Sequence, residues 1–235
     1  MLFCTTISFW PRWCAPIFFT SVARQPILWE NVASDKRFSI ELSYPVRAWF
    51  EGELSLNFLV AGTLVQMLTF VIVPGATVGI AAPQALLISQ VQGTKNGELL
   101  RHATKCLHDL TPASLLVNAT YGLAAALGIG QAVGISTREQ LGRGSKLYFD
   151  YDSFWQQFRG EWLASHFYQL DINAPEKPIE EIKAKYRPRT LRKRHYKQQV
   201  RQLVAANFWG NFMSVAPAAF AEASDIPADS ASLTT

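Results

Sequence analysis

Apolar positions are spaced in two ways along this chain. Four short runs rich in β-branched and aromatic residues, FSIEL (38–42), LSLNFLV (54–60), LVQMLTFVIV (64–73) and ALLISQV (85–91), are bounded by turn formers and predict four strands. Ala61-Gly62 lies between the second and third and reads as a hairpin or bulge. Residues 93–97 (GTKNG) then form a polar turn, and Asn96 is an N-cap candidate for a helix with Leu99, Leu100, Ala103, Cys106 and Leu107 on one face. Thr111 as N-cap, Pro112 at the first helical position and Gly128 beyond the last turn bracket a second helix. A short strand (129–135), a polar loop (136–146), a short helix in YFDYDSFWQQF capped by Asp152, and a last strand HFYQL (166–170) follow.

The ends read differently. Residues 1–35 look like a loosely structured or helical lead-in. From Pro178 a helical stretch begins, which Pro188 interrupts and Thr190 restarts, with Leu191, Leu203 and Val204 as its docking stripe. The expected organisation is a lead-in over 1–37, a domain over 38–205 that includes a basic helical arm at 179–205, and a disordered tail over 206–235. The fold class is α+β: a central, mostly antiparallel sheet flanked by helices.

Charge changes this picture at two places. Residues 54–94 carry no charged side chain, which raises the question of a membrane span. Gln66 near the centre, Pro74-Gly75 and Pro83, and the β-branched composition instead favour strands covered on both faces. Residues 183–201 carry nine Lys and Arg and no acid, so the net charge of +4 resides in one arm. Cys4, Cys14 and Cys106 are an odd number without repeating spacing, giving no disulfide framework and no zinc pattern. A reducing, cytoplasmic compartment fits them. The apolar N-terminus lacks a basic region and is broken by Pro11, Arg12 and Pro16, so a lead-in suits it better than a signal peptide.

Several strings in order resemble the VirK/YbjX family of bacterial proteins of unknown function: WFEGELSL (49–56), ISQVQG (88–93), TKCLHDLTP (104–112), Asp150-Tyr151-Asp152 through Phe154-Trp155, and the basic element from Ile182 to Lys197. The match extends over roughly residues 38–205. Members more often carry Gly-Leu-Arg-Pro-Lys where this chain has Asp109-Leu110-Thr111-Pro112-Ala113, so the basic charge of that turn is missing here. The lead-in is also shorter than usual. The resemblance implies a role in virulence, resistance to antimicrobial peptides or envelope maintenance, without an established activity.

Candidate chemistry falls in three groups. Gln90-Val91-Gln92-Gly93-Thr94-Lys95 is similar to the loop with which GNAT acetyltransferases hold the pyrophosphate of acyl-CoA, and Gln92, Gly93 and Lys95 would be the holding residues. An ordinary strand-to-helix turn is the plainer reading. The second group is Glu51, Glu53, His108, Asp150, Tyr151 and Asp152, of which a Glu, His or Asp could be the general base of an acyl transfer, with His108, Asp150 and Glu53 the leading candidates; caps and turn hydrogen bonds account for the same residues structurally. The third group is the arm. Arg192, Lys193 and Arg194 would meet anionic lipid at the inner face of a membrane or, less favoured, nucleic acid, or would be a solvated face. The function classes left open are an acyl-CoA-dependent transferase at the membrane periphery and a non-enzymatic protein binding lipid, RNA or a partner through its arm.

Overall fold

Eight strands form one sheet in the order β1-β2-β3-β4-β5-β6-β8-β7. The structure, a computed structural model, describes residues 22–45, 51–94, 96–141 and 149–212. The strands are β1 (Ile27–Ala33), β2 (Lys36–Ser43), β3 (Leu54–Val60), β4 (Thr63–Pro74), β5 (Gln84–Gly93), β6 (Gln131–Ile135), β7 (Glu161–Trp162) and β8 (Phe167–Asp171). The helices are α1 (Gly97–Cys106), α2 (Pro112–Ala126), α3 (Tyr151–Gln156) and α4 (Arg187–Phe212). All neighbours pair antiparallel except β5 and β6, which run parallel across the α1–α2 crossover. This is the α+β architecture that the periodicity predicts.

The neutral stretch is interior sheet, as its composition predicts. β3, β4 and β5 lie side by side, and Leu56, Phe58, Leu68, Phe70, Leu86 and Ile88 are fully buried. Ala61 and Gly62, at φ 49° and 77°, form the two-residue turn of the β3–β4 hairpin. Among the described residues no helix is long and apolar enough to cross a membrane.

Five expectations need correction. The lead-in contains a strand: β1 pairs with β2 through a second two-residue turn at Ser34 and Asp35, both at positive φ. Asp150, not Asp152, caps α3; its side chain accepts from the Ser153 amide at 3.0 Å. Pro188 does not interrupt the arm. It sits in the first turn of α4, where its missing N–H costs nothing. The docking stripe of α4 is Tyr196, Val200, Val204, Phe208 and Phe212 at i, i+4 spacing, whereas Leu191 and Leu203 are exposed. The helix thus runs to Phe212; residues 213–235, and the lead-in before Val22, lie outside the described residues.

Helix α2 is buried along its length because it lies between the sheet and α4. Its residues from Leu115 to Ala124 are all inaccessible, so they show no polar face. Contact with α4 is closest at Gly122, where a Cβ would stand 2.4 Å from the Arg201 carbonyl oxygen. The obstacle is backbone and cannot rotate away. Gly122→Ala should therefore lower stability by about 1–3 kcal/mol, despite the better helix propensity of alanine. A urea titration reads this as a lower midpoint at unchanged slope; an unchanged or higher midpoint would show that the helices separate at no cost.

Candidate active site in the parted sheet

Strands β5 and β6 are held together by only three registered pairs, Leu86–Ala132, Leu87–Val133 and Ile88–Gly134. Beyond these the strands part. β5 continues to Gly93 bonded to β4 alone, and Ser89 is an extra residue in that ladder, because Thr69 faces Gln90 while Phe70 faces Ile88. Two backbone groups just past the last pair are then without a strand partner. Both are taken by α3. The Val91 amide donates to the Tyr151 hydroxyl at 2.9 Å, and the Trp155 indole Nε1 donates to the Ile135 carbonyl at 2.7 Å. Tyr151 and Trp155 are one helical turn apart, so one face of a short helix closes both edges of the gap. The indole fits because residue 134 is glycine; a Cβ there would stand 2.3 Å from the ring.

Helix α3 is fixed in turn by its acids. Asp150 caps it, and the Asp152 carboxylate accepts from the Thr137 amide while the Thr137 hydroxyl accepts from the Asp152 amide, each at 3.2 Å. The cap hydrogen bonds from Ser153 hold the Asp150 carboxyl below its ordinary range. Asp150 is thus an ionised cap beside the gap.

Polar side chains cluster around the opening. Ser55 Oγ and Thr69 Oγ1 lie 3.1 Å apart, Thr69 donates to Gln90 Oε1 at 3.3 Å, and Ser89 donates to the Thr69 carbonyl at 3.1 Å. Glu51 is hydrogen-bonded by Gln90 and lies close enough to Tyr151 to influence its ionisation. Burial raises the Glu51 carboxyl above its usual value and outweighs the Gln90 bond, which acts the other way. Burial likewise pushes the Tyr151 phenol up to about 12. One side therefore offers a carboxylate with increased basicity, and the other a phenol that stays protonated at neutral pH.

The predicted site residues are not all gathered here. Gln92 and Gly93 are the exposed last residues of β5, facing Met67 and Gln66. The ladder reaches one bond further, from the Thr94 amide to the Val65 carbonyl, so the turn is shorter than expected. Asn96 caps α1 through the Leu99 amide at 3.0 Å, as predicted, and a cleft of about 190 Å³ beside it is lined by Lys36, Glu98 and His102. Lys95 lies outside the described residues. Glu53 is half-buried just before β3, with its amide bonded to the Phe70 carbonyl at 3.2 Å. His108 is elsewhere: it follows α1 at its far end, roughly 15 Å along the helix from the β5–α1 turn. Its exposed ring packs edge-on against Tyr196 at 4.8 Å, and the neighbouring Asp109 pairs with Arg189 at 2.8 Å. That turn docks α4. In the arm, Arg192 is exposed, whereas Lys193 and Arg194 are half-buried and turned toward α2 and the end of α3.

Residues 3–205 match the profile of a family described as a protein of unknown function, DUF535. The chain is 30% identical over 171 residues to an uncharacterised protein of Haemophilus influenzae, covering 70% of this chain and 55% of that protein. It is 24% identical over 186 residues to the uncharacterised protein YbjX of Escherichia coli, covering 74% of this chain and 55% of that protein. The chain thus spans about half the length of these curated relatives. These matches agree with the resemblance carried by the sequence strings. No solved structure matches.

The wedge makes a measurable prediction. Tyr151→Phe leaves the Val91 amide without its acceptor and should cost about 1–3 kcal/mol. The pH dependence supplies a second signature. Burial raises the phenol's pKa in the fold, so its contribution is fully present below pH 10.0 and is lost as pH rises toward about 12. Denaturation midpoints measured across that window should fall less steeply for Tyr151→Phe than for the natural chain. Parallel curves would mean that the phenol is solvated and does not hold the gap.

Proposed function

The chain belongs to the DUF535 family of proteins of unknown function, and we propose that it is an acyltransferase that uses an acyl-CoA thioester and works at the gap between β5 and β6. The observation that carries this reading is the parted parallel pair, with the Tyr151 hydroxyl on the Val91 amide and Glu51 beside it. In this reading an extended thioester arm lies along β5 beyond the bulge, beside the Tyr151 side chain that fills the gap. The order strand, helical crossover, parallel strand, short helix, returning strand supports the GNAT resemblance.

In this reading Glu51 and Tyr151 take the roles for which Glu53, His108 and Asp150 are the sequence candidates. An acceptor amine or hydroxyl attacks the thioester carbonyl; Glu51 removes its proton, and Tyr151 supplies one to the departing thiolate. The new acyl bond forms as the carbon–sulfur bond breaks. Gln92, Gly93 and Lys95, ahead of the α1 N-terminus, are the phosphate-holding residues of this reading. Exposed cations of α4 such as Arg192 would keep the protein at an anionic membrane surface, in keeping with an envelope role.

Calorimetric titration with acetyl-CoA and dodecanoyl-CoA tests the proposal. Saturable binding is expected, and Gly93→Trp should abolish it while the circular dichroism spectrum is retained. Glu51→Gln and Tyr151→Phe should keep the binding and slow thiol release to an added amine by about 100-fold or more. No heat of binding to either thioester at millimolar concentration would remove the enzyme reading and leave a binding protein.

A further inference from the structure

The cations of α4 do not all face outward. Lys193, Lys197 and Arg201 stand one turn apart on a single face, and all three line a cavity of about 280 Å³ closed by α2, the residues after α3, and the segment after β8. Three like charges in such a row repel one another. The arrangement persists because of how Arg201 is held. Its Nε and Nη2 donate to Asn118 Oδ1 at 3.0 and 2.9 Å, its Nη1 donates to the Ile172 carbonyl at 3.1 Å, and its guanidinium lies 4.8 Å from the centre of the Tyr121 ring. These partners fix the guanidinium without neutralising it.

Of the acids nearby, one is paired with a cation and the other accepts from a backbone amide and keeps its charge. Glu176 is paired with Arg194, and Asp171 Oδ1 accepts from the Asn173 amide at 2.8 Å. Lys177 is paired with Glu181 at 3.4 Å. Lys197 feels the attraction of Glu176, the largest single charge effect on it, against repulsion from Arg201, Lys193 and Arg194. Burial and those like charges lower its affinity for its own proton. Tyr121 also lines the cavity, and its hydroxyl is buried without a hydrogen-bond partner. The lining carries six cations (Arg159, Lys177, Lys193, Arg194, Lys197 and Arg201) against the two acids Asp171 and Glu176, so the cavity presents an excess of positive charge and rotatable ammonium donors.

We propose that this cavity is a binding site for a phosphate monoester, held by Lys193, Lys197 and Arg201. A dianionic phosphate offers enough acceptors for both ammonium groups together, and its charge relieves the i, i+4 repulsion along α4. An inorganic ion alone would underfill the space. The volume lies near the lower end of small-molecule pockets, roughly 300–1,000 Å³, and the Phe158, Ile172 and Tyr121 side chains give part of the wall an apolar surface. A phosphate carrying a short organic substituent suits both halves. The site is independent of the acyl-transfer reading, since none of its residues lies in the β5–β6 gap.

The full chain would be titrated calorimetrically with inorganic phosphate and with glycerol 3-phosphate in chloride buffer at 0.15 M ionic strength. Saturable binding with a dissociation constant of about 1 mM or tighter is expected for glycerol 3-phosphate, with inorganic phosphate weaker. Lys197→Met keeps the apolar stem and should weaken binding about tenfold or more. Lys105→Met, on the exposed surface of α1 and away from the cavity, should stay within about twofold. Lys193→Met serves the same purpose should Lys197→Met fail to fold. Co-sedimentation with phosphatidylcholine vesicles containing phosphatidic acid separates the sources. Pelleting that glycerol 3-phosphate competes away, and that Lys197→Met loses, assigns the ligand as a lipid headgroup. Ester binding without pelleting assigns a soluble phosphate ester. Absence of saturable ester binding, or equal losses in Lys197→Met and Lys105→Met, would overturn the site.

Discussion

The fold turns on a substitution of side chains for a strand. Where β5 and β6 stop pairing, the sheet exposes an amide on one edge and a carbonyl on the other, and a buried backbone group left unpaired costs about 1–3 kcal/mol. Tyr151 and Trp155 supply the missing partners from one face of α3. The aromatic tips are also bulky, so the strands cannot close again beyond them. A six-residue helix is too short to hold itself in place. Its position comes from the Asp150 cap, from the paired hydrogen bonds between Asp152 and Thr137, and from an aromatic cluster in which Trp155 meets Tyr151, Phe154 and Phe158. The parting of the strands is thus built in, and the side chains of α3 fill it.

The other half of the structure backs this wedge. Helix α2 can pass between sheet and α4 only because Gly122 admits the α4 backbone. The long helix in turn covers β1 through Trp29 and Tyr196, whose rings meet edge-on at 6.3 Å, and through Asn207, which donates to the Leu28 carbonyl at 2.9 Å. Burial of β1 and of α2 both therefore depend on the apolar i, i+4 row of a helix whose charge is confined to the part up to Arg201.

Much of this was legible from residue order, and the misses have specific causes. β3, β4 and β5 were readable because three runs free of charge were punctuated by Gly and Pro, and the caps Asn96 and Thr111 because a polar residue directly preceded each periodic run. β1 was missed because its pattern is broken by Glu30 and Asn31 and its hairpin uses Ser-Asp rather than the usual Asn-Gly. Asp150 and Asp152 are both sound caps by type, and only the backbone decides between them. Leu191 and Leu203 were chosen for hydrophobicity alone; spacing of four from Tyr196 through Phe212 was the better signal, obscured by the intervening charges. The gap itself left no mark in the sequence, since it arises from a register that ends after three pairs. Glu51 lies near Gln90 and Tyr151, and His108 lies past the far end of α1; residue spacing marks neither position.

Helix α3 also sets the distance between the two polar regions of the molecule. Tyr151, at its start, lies in the parted sheet, and Gln157 to Arg159, just past its end, line the cationic cavity. Six residues span roughly 9 Å, and the aromatic packing around Trp155 leaves that span little freedom to vary. A residue that shifts α3 along its axis must disturb both edges of the gap and the cavity wall together. The Trp155 indole prevents this, because it is held by the Ile135 carbonyl at one end and pressed against Gly134 along its length. A larger residue at position 134 would displace the ring, release the Ile135 carbonyl and move both regions at once, so the smallest residue in β6 is the one on which their relative geometry rests.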